Sequence, residues 1–236
     1  MSTPSPSAVD VGSGPVGFWA RSPRWSRWVI AVGTALTLLL VGATAGLLIE
    51  RDLSADPIPA ADSVDVGFAQ DMSVHHENAV QMAGWVRDHT ADPAVRQLAY
   101  DIESGQTAQV GQMQGWLGLW GAATQSTGGY MTWMADMNAA MGMGHGSDGA
   151  AAMPGMASQA DLARLRATTG TAADVLFLQL MLRHHEGGAG MLRYAADRAT
   201  MPQVRNLAAQ MLSAQTAESR LMAQMLVQRG AGPLDG

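Results

Sequence analysis

The sequence predicts an all-α protein: an antiparallel four-helix bundle made of two duplicated helical hairpins and preceded by one transmembrane helix. Three observations predict it. Beyond the first fifty residues the chain is rich in Ala, Leu, Met and Gln and poor in β-branched and aromatic residues, with Gly and Pro mostly between periodic segments. From Trp28 to Ile49 no side chain is charged. Sliding the chain against itself by 109 positions, without a gap, aligns Asp65, Phe68, Met72, His75, His76, Glu77 and Met82 with Asp174, Phe177, Met181, His184, His185, Glu186 and Met191.

Residues 1–27 are rich in Pro, Ser and Gly, carry Arg21, Arg24 and Arg27, and read as a cytoplasmic tail. The apolar run 28–49 is long enough to span a bilayer, at about 20 residues. The arginines on its N-terminal side place that end in the cytoplasm, so a single-pass protein with everything from Glu50 outside is expected. Ala43-Thr44-Ala45 resembles a signal cleavage site, and the alternative is a secreted protein. Residues 50–61, with Pro57 and Pro59, read as a tether; 62–120 as the first hairpin, 121–160 as a Met/Gly-rich linker and 161–230 as the second hairpin.

Within each copy the start is marked by Asp62-Ser63-Val64-Asp65 or Thr171-Ala172-Ala173-Asp174, and the two acids are read as capping residues of their own helices. Pro93 after Asp92, and Pro202 in the matching place, each open a second helix. Four helices of about 25 residues, each near 40 Å long, suit an antiparallel bundle. In the linker a short helix is expected around Tyr130 to Met141, with the rest mobile.

The part beyond the apolar run is acidic, the whole chain has a net charge of −6, and Lys is absent, which argues against nucleic-acid binding. Cys is absent too, so there is no disulfide, thiolate metal site or cysteine nucleophile, and any soft metal ligand must be Met.

At about 100° per residue, Asp65, Phe68, His75, His76, Ala79 and Met82 fall on one arc around Met72, while Glu77 lies about 140° away toward solvent. The second copy repeats the arc with Phe177, Met181, His184, His185 and Met191. The candidate metal ligands of the bundle are therefore His75, His76, His184, His185, Met72, Met181, Met82 and Met191. Imidazole with thioether favours copper, Cu(I) above all, with silver or zinc as further candidates. The competing explanation is that these are hydrogen-bonded core histidines and gap-filling methionines. In the linker, Met131, Met134 and Met137, and the group Met141, Met143 and His145, supply a separate soft-donor strand for weak, exchangeable Cu(I) or Ag(I) capture.

Asp65-x-x-Phe68-x-x-x-Met72-x-x-His75-His76, Trp116-Leu117-x-x-Trp120-Gly121, Met153-Pro154-Gly155-Met156 and Asp174-x-x-Phe177-Leu178-x-x-Met181-x-x-His184-His185-Glu186 together resemble domain of unknown function family 305. That resemblance implies a ferritin-like four-helix bundle in an exported protein and, for some members, copper binding, with the two Met-x-x-His-His runs as signature positions. Gln109 departs from the Glu usual in the second helix, which Glu218 keeps in the second copy, and Gly187-Gly188 places two glycines inside a helix.

Three functions are compatible with this reading. The first is a membrane-anchored extracytoplasmic module that buffers or chaperones copper or silver, its partners being metal ions and, through the N-terminal helix, the membrane. The second is a metal-independent helical interaction domain; no protein partner is identifiable. The third is a metal-dependent oxidoreductase, against which Asp101, Glu103 and Glu218 do not form the matched set of a di-iron bundle. The non-enzymatic readings are favoured.

Overall fold

The structure, a computed structural model, describes residues 23–53, 58–134 and 150–234. Most of the expected tail, part of the tether, and the linker stretch holding Met137, Met141, Met143 and His145 lie outside the described residues. The described residues form six α-helices: α1 (Arg24–Leu53), α2 (Val64–His89), α3 (Pro93–Trp120), α4 (Gln159–Ala167), α5 (Gly170–Arg198) and α6 (Pro202–Gln228). Among the described residues a 3-10 turn spans Thr132–Met134.

Helix α1 belongs to its own unit, residues 1–57. Over Arg24–Leu48 its mean hydropathy is 2.0 and none of it is buried. By length and composition it can cross a membrane, and an N-terminal signal sequence would have the same properties.

The second unit, residues 58–236, carries the bundle. Ser63 caps α2 through Val66 N–H, and Asp92 caps α3 through the N–H groups of Ala94 and Val95, with Pro93 in the first turn. Thr169 and Met201, ahead of α5 and α6, make no side-chain cap. Helix α2 packs against α3 and α5, and α5 against α6. The neighbours run antiparallel, as hydrogen bonds at the helix ends show. Asp65 at the start of α2 accepts from Thr200 N, Thr200 Oγ1 and Met201 N, beyond the end of α5. Asp174 at the start of α5 accepts from Thr90 Oγ1 after the end of α2, and Asp92 pairs with Arg229 at the end of α6. This corrects the capping expectation: both acids spend their carboxylates on the other hairpin. The loop N–H groups leading into α6 lack a local cap, and Asp65 satisfies them.

The core falls into two clusters. One gathers Val66, Phe68 and Met72 of α2, Met113 of α3, Met191 and Ala195 of α5, and Met211 of α6. The other gathers Met82 and Val86 of α2, Ile102 of α3, Phe177 and Met181 of α5, and Met222 of α6. Along both α2 and α5 the two histidines lie between the stretches that serve one cluster and the other.

The linker departs from expectation. Of the helix expected around Tyr130 to Met141 only residues 130–134 are described: there Tyr130 and Ala150 pair backbone to backbone at 2.9 and 2.8 Å, and a short 3-10 turn follows. Asp71, buried in α2, accepts from Met131 N–H at 2.7 Å and from the Trp133 indole N–H at 2.8 Å. These bonds hold the segment on α2, where Trp133 covers Gly67; a Cβ at residue 67 would come within 2.4 Å of the ring. Met131, Met134 and Met153 are consequently core residues, not exposed sulfur donors. Residues 150–157 lie on the bundle as well: Asn78 both donates to Ala157 O and accepts from Ala157 N–H. Ser158 and Asp161 form a reciprocal capping box that starts α4, a helix not anticipated from composition.

Candidate metal centre

The apolar arc of α2 and its counterpart on α5 deliver all four histidines to the interior: His75, His76 and His184 are fully buried and His185 is 2% exposed. Glu77 and Glu186 face solvent. The structure brings His75 and His184 together across the helix pair, ring centroids 3.9 Å apart, while His76 and His185 lie 6.5 and 6.0 Å from their chain neighbours.

Each ring is held at Nε2. His75 Nε2 donates to Pro154 O at 3.1 Å and His184 Nε2 to His75 O at 2.9 Å. His185 Nε2 bonds Glu218 Oε2 at 2.7 Å, and His76 Nε2 meets Gln109 Oε1 at 2.8 Å. A backbone carbonyl only accepts, so His75 and His184 carry their proton on Nε2 and leave Nδ1 with a bare lone pair. The Nδ1 atoms of all four histidines are buried without a hydrogen-bond partner. Desolvating such a group without a partner costs free energy that folding must offset. An imidazole whose far nitrogen is fixed by a carbonyl or carboxylate is also the usual arrangement of a metal-binding histidine.

Burial pushes the His75 imidazole down to about 4 and His76 to about 3, with His75 a further repulsive neighbour of His76. His184 is held well below the usual histidine range by burial first, then by His75 and His185. Neutral rings are the form that coordinates a metal.

The thioethers are buried too. Met72 and Met191 lie in the first cluster, Met82 and Met181 in the second, so each cluster holds one methionine from each signature helix. Among the described residues no three His, Cys, Asp or Glu side chains gather into a group that could hold a metal ion. Imidazole nitrogen joined by thioether sulfur would be the chemistry of a soft monovalent ion. Met141, Met143 and His145 lie outside the described residues. The acids weighed for a di-iron bundle each have another partner: Glu103 pairs with Arg87 at 2.6 Å, Asp101 accepts from Gln97, and Glu218 serves His185, while Asp101 and Glu218 line one cleft.

Sequence reasoning missed the groups that fix the rings. Pro154 reaches His75 because residues 187 and 188 are glycine. A Cβ at Gly187 would lie 2.5 Å from the Pro154 carbonyl, one at Gly188 2.9 Å from His75 Cε1, and one at Gly155, at φ +80°, 2.5 Å from Arg183 O. Met153-Pro154-Gly155-Met156 is therefore a strap whose seat is the glycine pair. Gln106 and Gln215, related by the same 109-residue offset, are buried with unpaired carboxamides. Their correspondence was visible in the alignment of the chain with itself, but their burial was not.

Comparison with known proteins places this geometry in a group. Residues 65–226 match the family described as domain of unknown function (DUF305). A crystal structure of a DUF305 protein from Streptomyces coelicolor, described as secreted, is 45% identical, covers 75% of this chain and 100% of its own, and superposes with a TM-score of 0.67. A DUF305 fragment from Deinococcus radiodurans is 31% identical over 73% of this chain and 99% of its own, with a TM-score of 0.57. CopM in its Cu(I)-bound form is 21% identical over 70% of this chain and 96% of its own, with a TM-score of 0.51, a likeness of fold; CopM is also known in Cu(II)- and silver-bound forms. No curated protein matches.

Proposed function

Because this chain belongs to the DUF305 family, we propose that it is a membrane-anchored extracytoplasmic protein that buffers or chaperones copper or silver through its paired histidines and methionines. The observation that carries the reading is the set of four buried imidazoles whose Nδ1 lone pairs lack a protein partner while Nε2 is fixed. His75 and His184 would supply nitrogen, joined by His76 and His185, with Met72, Met181, Met82 and Met191 as the sulfur donors. A bound Cu(I) would supply a soft Lewis acid that imidazole and thioether hold in preference to water. The copper and silver bound by CopM support the choice of metal. Met141, Met143 and His145 would add weaker, exchangeable capture. Copper is cargo in this reading, and no turnover is assigned. Zinc, which imidazole also accommodates, is the weaker candidate because thioether contributes little to it.

The anchor is proposed from α1, with Arg24 and Arg27 at its cytoplasmic end. N-terminal sequencing of the envelope-purified protein separates an anchor from a cleaved signal. The metal-independent interaction domain is the competing reading. Titration of the full chain in detergent micelles with Cu(I), under reducing conditions and against a competing chelator, decides between them. Binding tighter than micromolar that disappears when all four bundle histidines are replaced is the expected result. Binding weaker than that, or indifferent to the replacement, would end the proposal.

A further inference from the structure

The four histidines match in pairs, but the groups that hold the second ring of each pair do not. His76 is held by the amide oxygen of Gln109, and His185, at the equivalent place, by the carboxylate of Glu218. Among the described residues Glu218 is the acid hydrogen-bonded to a buried imidazole. A cation entering a set of neutral buried rings brings an uncompensated positive charge into a poorly polarisable interior. A carboxylate one hydrogen bond away offsets that charge and makes the ring a better donor, which an amide does only weakly.

Access favours the same half. An open surface groove between α5 and α6 is lined by His185 together with Glu186, Arg193 and Gln215. Glu186 and Arg193 give its wall one charge of each sign, and Glu218 is the acid bonded to the ring itself. Gln215 also lines a partly open cleft between α3 and α6, which Glu218, Asp101, Gln106 and Gln109 share. The carboxamides of Gln106 and Gln215, 4% and 5% exposed, have neither nitrogen nor oxygen engaged.

We infer that the two halves are unequal: a soft monovalent cation is captured first at His185, with Glu218 as the positioning residue, and reaches His76 and Gln109 later. This rests on the copper and silver reading above.

The test uses the full chain in detergent micelles, labelled with 15N at histidine, and Cu(I) added in steps below one equivalent under reducing conditions. The ring nitrogen resonances of His185 should move in the first steps and those of His76 only afterwards. Glu218→Gln should lower the affinity of the first step by about 10- to 100-fold, read by chelator competition, and abolish the order. Gln109→Glu, which remains informative should Glu218→Gln fold poorly, should make His76 move alongside His185. His76 and His185 moving together in the unaltered protein, or a Glu218→Gln variant with affinity and order intact, would overturn the inference and leave the metal-binding reading standing. If no ring responds to Cu(I) in any of the three proteins, that reading falls and the inference with it.

Discussion

The rings of His75 and His184 meet with centroids 3.9 Å apart and planes tilted by 36°, and His184 Nε2 donates to the backbone carbonyl of His75. Two helices from different hairpins thus cross at a contact made of imidazole where a bundle would normally place aliphatic side chains. The contact depends on what is missing beside it, since Gly188 leaves room for His75 and Gly187 for Pro154.

That dependence is measurable. A methyl group at residue 187 would face the Pro154 and Gly155 backbone, which cannot move aside cheaply. Gly187→Ala should therefore destabilise the domain by about 1–3 kcal/mol, the usual cost of overpacking, and more than cancel the roughly 1 kcal/mol that alanine gains in a helix. Gly190→Ala, in the same helix but with nothing within 4 Å of its Cβ position, should stabilise it by roughly 0.5–1 kcal/mol. Denaturant unfolding of both variants checks this; a stabilised Gly187→Ala protein would mean that the strap does not sit there.

Acid should loosen the apo bundle before carboxylates begin to protonate. In the unfolded chain imidazole titrates near pH 6.5, whereas folded His75 is pushed down to about 4 and His76 to about 3. Between those values the unfolded state binds more protons, so stability rises with pH. The contribution is complete above about pH 6.5 and is lost as pH falls through about 4 and then 3, His75 alone accounting for on the order of 3 kcal/mol. Unfolding free energy measured from about pH 8 down to 5 should be level at first and then decline; a level curve throughout would show that the rings are not buried and neutral.

Periodicity made much of this legible, because which face of α2 is buried is a local property: Phe68, Met72, His75, His76 and Met82 share one arc and all are buried. What periodicity cannot carry is a partner supplied from elsewhere in the chain. Asp65 answers Thr200 across 135 residues, and His75 answers Pro154 across 79. Each carboxylate or ring looks self-sufficient in its own segment. At the described start of the linker composition suggested no packing, whereas Met131 and Trp133 are buried and bonded to Asp71 across 60 and 62 residues. The Ser158 and Asp161 capping box was present in the sequence, and a boundary drawn from composition obscured it.

Asp65 and Asp174 are equivalent in sequence but unequal in load. Asp65 accepts three hydrogen bonds, two of them from backbone N–H groups leading into α6, and Asp174 takes one from Thr90. Asp65→Ala should cost roughly 2–4 kcal/mol and Asp174→Ala about 1 kcal/mol. Thermal unfolding of the two single variants ranks them, and equal losses would contradict the division of labour drawn here.

Metal should act as a clamp across the hairpins, because the donors it would join come from α2 and α5. A ligand present at about 100 times its Kd adds about 2.7 kcal/mol to the folded state, and for a domain of this size 1 kcal/mol moves Tm by about 2–4 °C. Cu(I) should therefore raise Tm by about 5–10 °C, and a chelator should reverse the rise. Ag(I), with similar ligand preferences, should follow it more closely than Zn(II). His184→Ala removes both a candidate donor and the bond to His75 O, so its apo Tm will fall for a purely structural reason. The informative quantity is the increment on adding metal, which should shrink in that variant. A full increment in His184→Ala would move the clamp away from the crossing of α2 and α5.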